Sequence, residues 1–297
     1  MKSRMNVLVI GGTRFFGKHL VWELLGRGHE VTIATRGKTP DPFGSRVKRL
    51  IVDRTDAEEM KRVFAYKYYD VVYDDIAYCA GDVRNAMEAI GHRRYVMVST
   101  ISVYNELHFQ TVESDFVPER KQLIWYEKGD EAGYDTLKRS AECTLAQKYA
   151  ARNTVVARFP FVIGEDDYTE RLYFYVEHAV RKIPMWVDNL DAQMSFISAD
   201  DAGKLLAYLG EDEVRGAVNG ASRGTVSIRE VLSYVEKKTG CAAVISPDAE
   251  CAPYNGAPNY SINTGRAERI GFHFSSLKDW IYELIDTYIA RAQGALE

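Results

Sequence analysis

The segment that most constrains this chain is Asn6-Val-Leu-Val-Ile10, which runs unbroken into Gly11-Gly12-Thr13-Arg14-Phe15-Phe16-Gly17. A short continuous apolar run suits a strand covered on both faces, as in the middle of a parallel sheet. The glycines that follow predict a tight turn. Leu20, Val21, Leu24 and Leu25 then recur at helical spacing up to Gly28. Such a unit needs partners of its own kind, and the sequence supplies them. Glu30 to Thr35, Arg49 to Val52, Asp70 to Tyr73, Arg94 to Val98 and Thr154 to Arg158 read as further strands. Helical patterns at Ala57 to Phe64, Val83 to Ile90 and Tyr134 to Ala151 separate the later ones. This alternation predicts an α/β protein built on a doubly wound parallel sheet.

Beyond Pro160 the pattern loosens. Leu172 to Arg181, Asp200 to Leu209, Ile228 to Thr239 and Leu277 to Ala292 read as helices, and Ser195 to Ile197 as a strand. The expected division is a Rossmann domain over residues 1–163, to which 195–220 return. Residues 164–194 and 221–297 then form a smaller C-terminal α/β substrate-binding domain. The formal net charge of -4 gives no bulk attraction to nucleic acid or anionic membrane. No apolar run approaches the ~20 residues of a membrane helix, and Val7 to Ile10 is too short for a signal-peptide core. The expectation is a cytoplasmic chain with neither nucleic acid nor membrane as partner; a homodimer is left open. Cys79, Cys143, Cys241 and Cys251 are scattered, and the six histidines lack ligand spacing, so no metal site is expected.

The glycine turn carries the first chemical reading. Gly11 permits the turn, Gly17 lets the helix pack close to the strand, and the free amides of the first helical turn face a pyrophosphate. Thr13, Phe15 and Phe16 belong to the same loop. Arg14 stands where the usual fingerprint has its middle glycine, so its side chain points away from the pyrophosphate or clasps it. The second strand ends Ala34-Thr35-Arg36-Gly37, without the carboxylate that selects NAD. Arg36 and Arg14 together offer guanidinium groups to a 2'-phosphate, which favours NADP(H) and leaves NAD(H) possible; Arg36 as a plain surface residue is the alternative. Asp53 is placed to accept a hydrogen bond from adenine, or to cap the helix that follows.

The second reading is catalytic. Tyr134-Asp-Thr-Leu-Lys138 puts a phenol and an ammonium on one helix face. A free tyrosine, with a pKa of about 10, is a poor base near neutrality, and a neighbouring cation favours its phenolate. Ser99, Thr100 and Ser102 follow an apolar strand at the end where such sheets bind ligands, or else form a turn bonded to itself.

The chain resembles the extended short-chain dehydrogenases/reductases, the NAD-dependent epimerase/dehydratase family, which act mainly on nucleotide sugars. The residues that carry the resemblance are the Gly11–Gly17 turn, Ser99-Thr100-Ile-Ser-Val-Tyr104, Tyr134-x-x-x-Lys138, Arg158-Phe-Pro-Phe-Val-Ile-Gly164, Phe196-Ile-Ser-Ala-Asp-Asp201 and Asn263-Thr-Gly-Arg-Ala-Glu-Arg-Ile-Gly271. It implies Thr100, Tyr134 and Lys138 as the catalytic group, with Tyr134 the acid/base. It implies that Lys138 also holds the nicotinamide ribose, and that Phe159 and Pro160 flank the nicotinamide; Ser99 is counted with the cofactor site. A sugar-like substrate, first of all a nucleotide sugar, is then expected, with epimerase or reductase chemistry. Ile101 and Ser102 stand where the 4,6-dehydratases carry two carboxylates, which argues against dehydration. Met194 stands where many members carry a diphosphate-binding arginine; Arg171, Arg266 and Arg269 are the candidate substitutes. The Gly-Gly-Thr-Arg-Phe-Phe-Gly turn also resembles that of chloroplast stem-loop RNA-binding proteins of the same superfamily, which sets a non-catalytic NAD(P)- or RNA-binding protein beside the enzyme.

Overall fold

The computed structural model describes residues 4–294, so the outermost residues of the expected division lie outside the described ones. Strand β1 (Asn6–Ile10) leads through the glycine turn into α1 (Phe15–Gly26), followed by β2 (Glu30–Thr35), β3 (Val47–Ile51), α2 (Ala57–Phe64), β4 (Tyr68–Asp74), α3 (Ala80–Ala89), β5 (Gly91–Thr100), α4 (Tyr134–Lys148) and β6 (Thr154–Phe159). The chain then forms β7 (Phe161–Ile163), α5 (Arg171–Arg181), β8 (Met185–Trp186), β9 (Phe196–Ser198), α6 (Ala199–Glu211) and β10 (Gly216–Asn219). It ends in α7 (Ile228–Thr239), β11 (Glu250–Cys251), α8 (Gly265–Arg269) and α9 (Leu277–Ala292).

Seven strands make one sheet in the order β10-β6-β5-β4-β1-β2-β3, and every neighbouring pair is parallel. This is the doubly wound Rossmann arrangement. The order reverses at β1, and a parallel sheet of this kind binds ligands beyond the carboxyl ends of its strands, beside such a reversal. Val7, Val9, Val71, Val96 and Val155 face one buried cluster with α1 and α6, while Leu8, Ile10, Val72 and Met97 face the other with α2, α3 and α4. That double burial explains the continuous apolar runs of the central strands. A third cluster gathers α5, α7 and α9 around Tyr175, Phe196 and Tyr254. Ala267, Phe272 and Phe274, late in the chain, pack instead with the cluster under the sheet.

The edge strand β3 starts at Val47 rather than Arg49; Val47 is its one buried side chain, so the strand lacks the apolar run that marks the central ones. Strand β5 starts earlier than its apolar residues suggest. Arg94 within it is fully buried and donates to Leu209 O, Val214 O and Asn153 Oδ1. Among the described residues no helix is long and apolar enough to cross a membrane, and no three His, Cys, Asp or Glu side chains gather as metal ligands.

Candidate active site

A cleft of about 860 Å³ opens at the carboxyl ends of the central strands. One wall is the turn after β1 with the ends of β2, β4 and β5; the other is formed by residues 168–171 and 257–260. The turn depends on its glycines. Gly11 and Gly12 have φ of +101° and +77°, in the region open to glycine. A Cβ on Gly17 would lie 2.3 Å from Asp75 Oδ2 and 3.0 Å from Gly12 Cα. The close approach that demands this glycine is therefore to the Asp75 carboxyl and to the turn itself, not to the strand as the sequence suggested. Arg14, at the start of α1, makes no capping bond, so the first amides of the helix have no side-chain acceptor there. Its guanidinium lies 5.8 Å from the Tyr168 ring. Phe15 is buried and meets Tyr168 edge-on, while Phe16 meets Phe159. With Thr13 these residues line the cleft.

At the end of β2, Thr35 Oγ1 accepts from Gly37 N. Arg36 and Lys38 line the cleft there. Asp53 Oδ1 accepts from Thr55 N at 3.0 Å and Thr55 Oγ1 at 2.7 Å. Those bonds, opposed by burial and assisted by Arg36 and Lys128, hold its carboxyl below the usual range. The helix cap weighed for Asp53 belongs to Asp56, whose Oδ1 accepts from Glu59 N at 2.9 Å. Lys128 reaches the same end of the cleft from a loop pinned to α3 by Gly81 N to Tyr126 O and by the Arg84–Glu127 ion pair.

The other end of the cleft holds Thr100, Tyr134 and Lys138. Lys138 is buried; its Nζ donates to Ala77 O at 2.7 Å and Val98 O at 3.0 Å. It lies 4.9 Å from the Tyr78 ring and 5.9 Å from the Tyr134 ring. Burial lowers its pKa to about 8, against the pull of Asp74 and Asp75. Tyr134 is half-exposed as a residue, but its phenol is turned into the cleft. Desolvation there, with Tyr78 beside it, pushes the hydroxyl up to about 12, while a hydrogen bond with Thr100 and the charge of Arg171 work the other way. Thr100 Oγ1 accepts from Ser102 N and donates to Ser102 Oγ, each at 3.1 Å. Phe159 and Pro160 line the cleft between this group and the glycine turn.

Ser99 also borders the cleft, but its hydroxyl is turned away, donating to Glu142 Oε1 at 2.6 Å. Glu142 is paired with Arg158 at 2.6 Å, and both side chains are almost wholly buried. Arg158 also donates to Tyr104 Oη, Glu113 O and Phe116 O. Tyr104 Oη in turn donates to Asn219 Oδ1. The Tyr104 of the sequence motif is thus a buried strut joining the turn after β5 to β10.

Met194 is buried, with 1% exposed. Of its three candidate substitutes, Arg266 is tied to Ala217 O and Arg215 O. Arg269 does not border the cleft, whereas Arg171 does, lying 5.6 Å over the Phe161 ring. A turn positions Arg171: Asp167 accepts from Thr169, Tyr288 donates to Gly164 O, and Glu170, with φ of +53°, pairs with Arg291. Lys38, Asp75, Lys128 and Tyr168 were missed in the sequence. Asp75 carried a signal, since Asp74-Asp75 closes a strand at its carboxyl end.

Known proteins resemble this chain in part of its sequence and in its fold. Residues 7–89 match the model of the NAD dependent epimerase/dehydratase family. The chain is 29% identical over 229 residues to the chloroplast stem-loop binding protein of 41 kDa b from Arabidopsis thaliana, covering 71% of this chain but 57% of that protein. It is 27% identical over 244 residues to 2'-dehydrokanamycin reductase of Streptomyces kanamyceticus, covering 80% of this chain and 68% of the relative. Its fold superposes on that of MoeE5 in complex with UDP-glucose and NAD with a TM-score of 0.72, at 21% identity, over 98% of this chain and 100% of the other. Over residues 7–89 this chain is thus similar in sequence to the NAD dependent epimerase/dehydratase family, and over its whole length it shares the fold of that solved structure.

Proposed function

We propose that this chain catalyses NAD(P)-linked redox chemistry at a secondary alcohol or ketone of a sugar-like substrate, with a nucleotide sugar as the first candidate and epimerisation or reduction as the outcome. The carrying observation is the convergence of Thr100, Tyr134 and buried Lys138 on one cleft with the glycine turn. The turn has no room for a Cβ at Gly17 and leaves the first amides of α1 without a side-chain cap, which fits a pyrophosphate. A bound nicotinamide dinucleotide supplies hydride exchange at the substrate carbon. Tyr134 exchanges the hydroxyl proton, Thr100 orients the same oxygen, and Lys138 favours the phenolate. Arg171 holds an anionic group of the substrate, taking the place of the arginine that Met194 replaces. The similarity to a 2'-dehydrokanamycin reductase, and to the fold of a protein solved in complex with UDP-glucose and NAD, supports this class of chemistry. Mass spectrometry of the purified protein tests it. Co-purifying dinucleotide and retention of a sugar nucleotide are expected, and absence of any dinucleotide affinity would end the reading.

The cofactor is expected to be NADP(H). Arg36, Lys38 and Lys128 surround one end of the cleft, with Asp53 the opposing charge. A charge-assisted bond to a 2'-phosphate contributes roughly 1.5–3 kcal/mol before desolvation, hence a preference of about tenfold or more. Calorimetry on cofactor-stripped protein should show tighter NADP(H) than NAD(H). Arg36→Ala should erase most of the difference while leaving NAD affinity nearly unchanged. Equal affinities in the unmutated protein would mean that Arg36 serves solvent only.

The chloroplast relative favours one other reading, a stem-loop RNA-binding protein. Electrostatic RNA binding weakens steeply with salt as counterions are released. With a net charge of -4, no RNA complex is expected at physiological salt. A sub-micromolar complex with that salt dependence, seen by filter binding, would put this reading first.

A further inference from the structure

Strand β4 ends at Asp74 and Asp75 follows it directly, and the two carboxylates have different fates. Asp74 is fully buried and engaged: it accepts from Tyr95 Oη at 2.5 Å and pairs with Arg54. Asp75 has no ion pair among the described residues. Its Oδ2 accepts one hydrogen bond, from Gly12 N at 3.3 Å. The same oxygen lies 3.3 Å from where a Cβ on Gly11 would sit and 2.3 Å from one on Gly17. The carboxyl group is therefore packed into the glycine turn, against the first turn of α1. A pyrophosphate drawn to that positive helix end comes close to it. Two anions that close cannot both keep full charge, since a like charge within ~4–6 Å disfavours ionisation.

We propose that Asp75 is a titratable wall of the dinucleotide site: the pyrophosphate binds the form in which Asp75 carries a proton, so cofactor binding takes a proton up from solution. This rests on the dinucleotide reading of the cleft. The surroundings are poised for it. Burial pushes the Asp75 pKa up to about 7; the Gly12 amide pulls it back, Asp74 raises it and Lys138 on α4 lowers it. Arg54, following β3, is taken up by Asp74 and Asp82, and Lys18 on α1 by Asp166. Tyr78 faces the same carboxyl, and its own hydroxyl is raised by burial.

The test is calorimetric titration of cofactor-stripped protein with NAD+ between pH 6 and 9, in pairs of buffers with different ionisation enthalpies. NAD+ is chosen because it lacks the 2'-phosphate, which titrates itself. Uptake approaching one proton is expected near pH 8, with affinity falling by up to about tenfold per pH unit above the free Asp75 pKa. Asp75→Asn should abolish the uptake and bind NAD+ more tightly than the unmutated protein at pH 9. Equal uptake in both proteins, or weaker binding by Asp75→Asn at every pH, overturns the proposal. Should the variant not fold, adenosine diphosphate ribose on the unmutated protein decides. It has the pyrophosphate but no nicotinamide to disturb Lys138, so persistent uptake supports Asp75 and its loss overturns the role. Absence of binding by either compound at any pH would instead overturn the cofactor reading, and this inference with it.

Discussion

Replacing Tyr134 with phenylalanine is expected to lower turnover by about 10²–10⁴-fold, the usual effect of deleting a positioned proton-transfer group. The substitution keeps the ring that packs edge-on against Tyr78 at 6.0 Å, so the cleft should hold its shape. It removes only the hydroxyl that meets Thr100. Dinucleotide affinity should change little, since Lys138 keeps its bonds to Ala77 O and Val98 O. Single-turnover hydride transfer, with a substrate found by the mass-spectrometric screen, separates the two quantities. A variant that retains full rate would remove Tyr134 from the chemistry. A variant that loses rate and cofactor affinity equally would make it a binding residue.

Glu142→Gln is expected to destabilise the fold by about 3–5 kcal/mol, because breaking a buried ion pair leaves the other charge uncompensated. Arg158 is fully buried, and Glu142 is its anionic partner. Replacing both residues by apolar ones would not restore stability here. Arg158 also satisfies Glu113 O, Phe116 O and Tyr104 Oη, which would be left without it. Urea unfolding read by circular dichroism gives the number. A loss below about 1 kcal/mol would mean that solvent reaches the Arg158 guanidinium once the carboxylate is gone.

The fold was legible where one face of an element faces one environment. Helix α7 could be read to the residue, with Ser227 and Glu230 forming a reciprocal cap and Gly240 ending it in the left-handed region. Strand β10 was missed. Its Gly-Ala-Val-Asn offers too few apolar residues to stand out, and its place is fixed by pairing with β6. The glycine turn and the Tyr134–Lys138 spacing were plain because both are local. Asp75 and Lys128 were not, since each meets the site only through tertiary packing, and for the same reason Arg171 could be named only as one of three candidate arginines. Asp75 reaches Gly12 across 63 positions of sequence. Even the local Asp53-Arg-Thr-Asp56 misled: Asp53 was weighed as the helix cap, but the bond to Glu59 N, three residues on, belongs to Asp56.

The pairing of β6 with β10 orders events on the ribosome. Strand β6 ends at Phe159 and β10 begins at Gly216, with β7, α5, β8, β9 and α6 between them. At roughly 5–20 residues per second, the growing chain waits several seconds between making the sixth strand of its sheet and making the strand that covers it. During that wait Val155, Val156 and Ala157, all buried in the finished protein, present a bare apolar strand edge, which is a template for mispairing. Arg158 and Tyr104 wait as well, because Asn219, which completes their hydrogen-bond chain, comes at the end of β10. A nascent chain whose earlier strands have paired would thus expose this edge until β10 is made, and that interval is when a chaperone has an edge to protect.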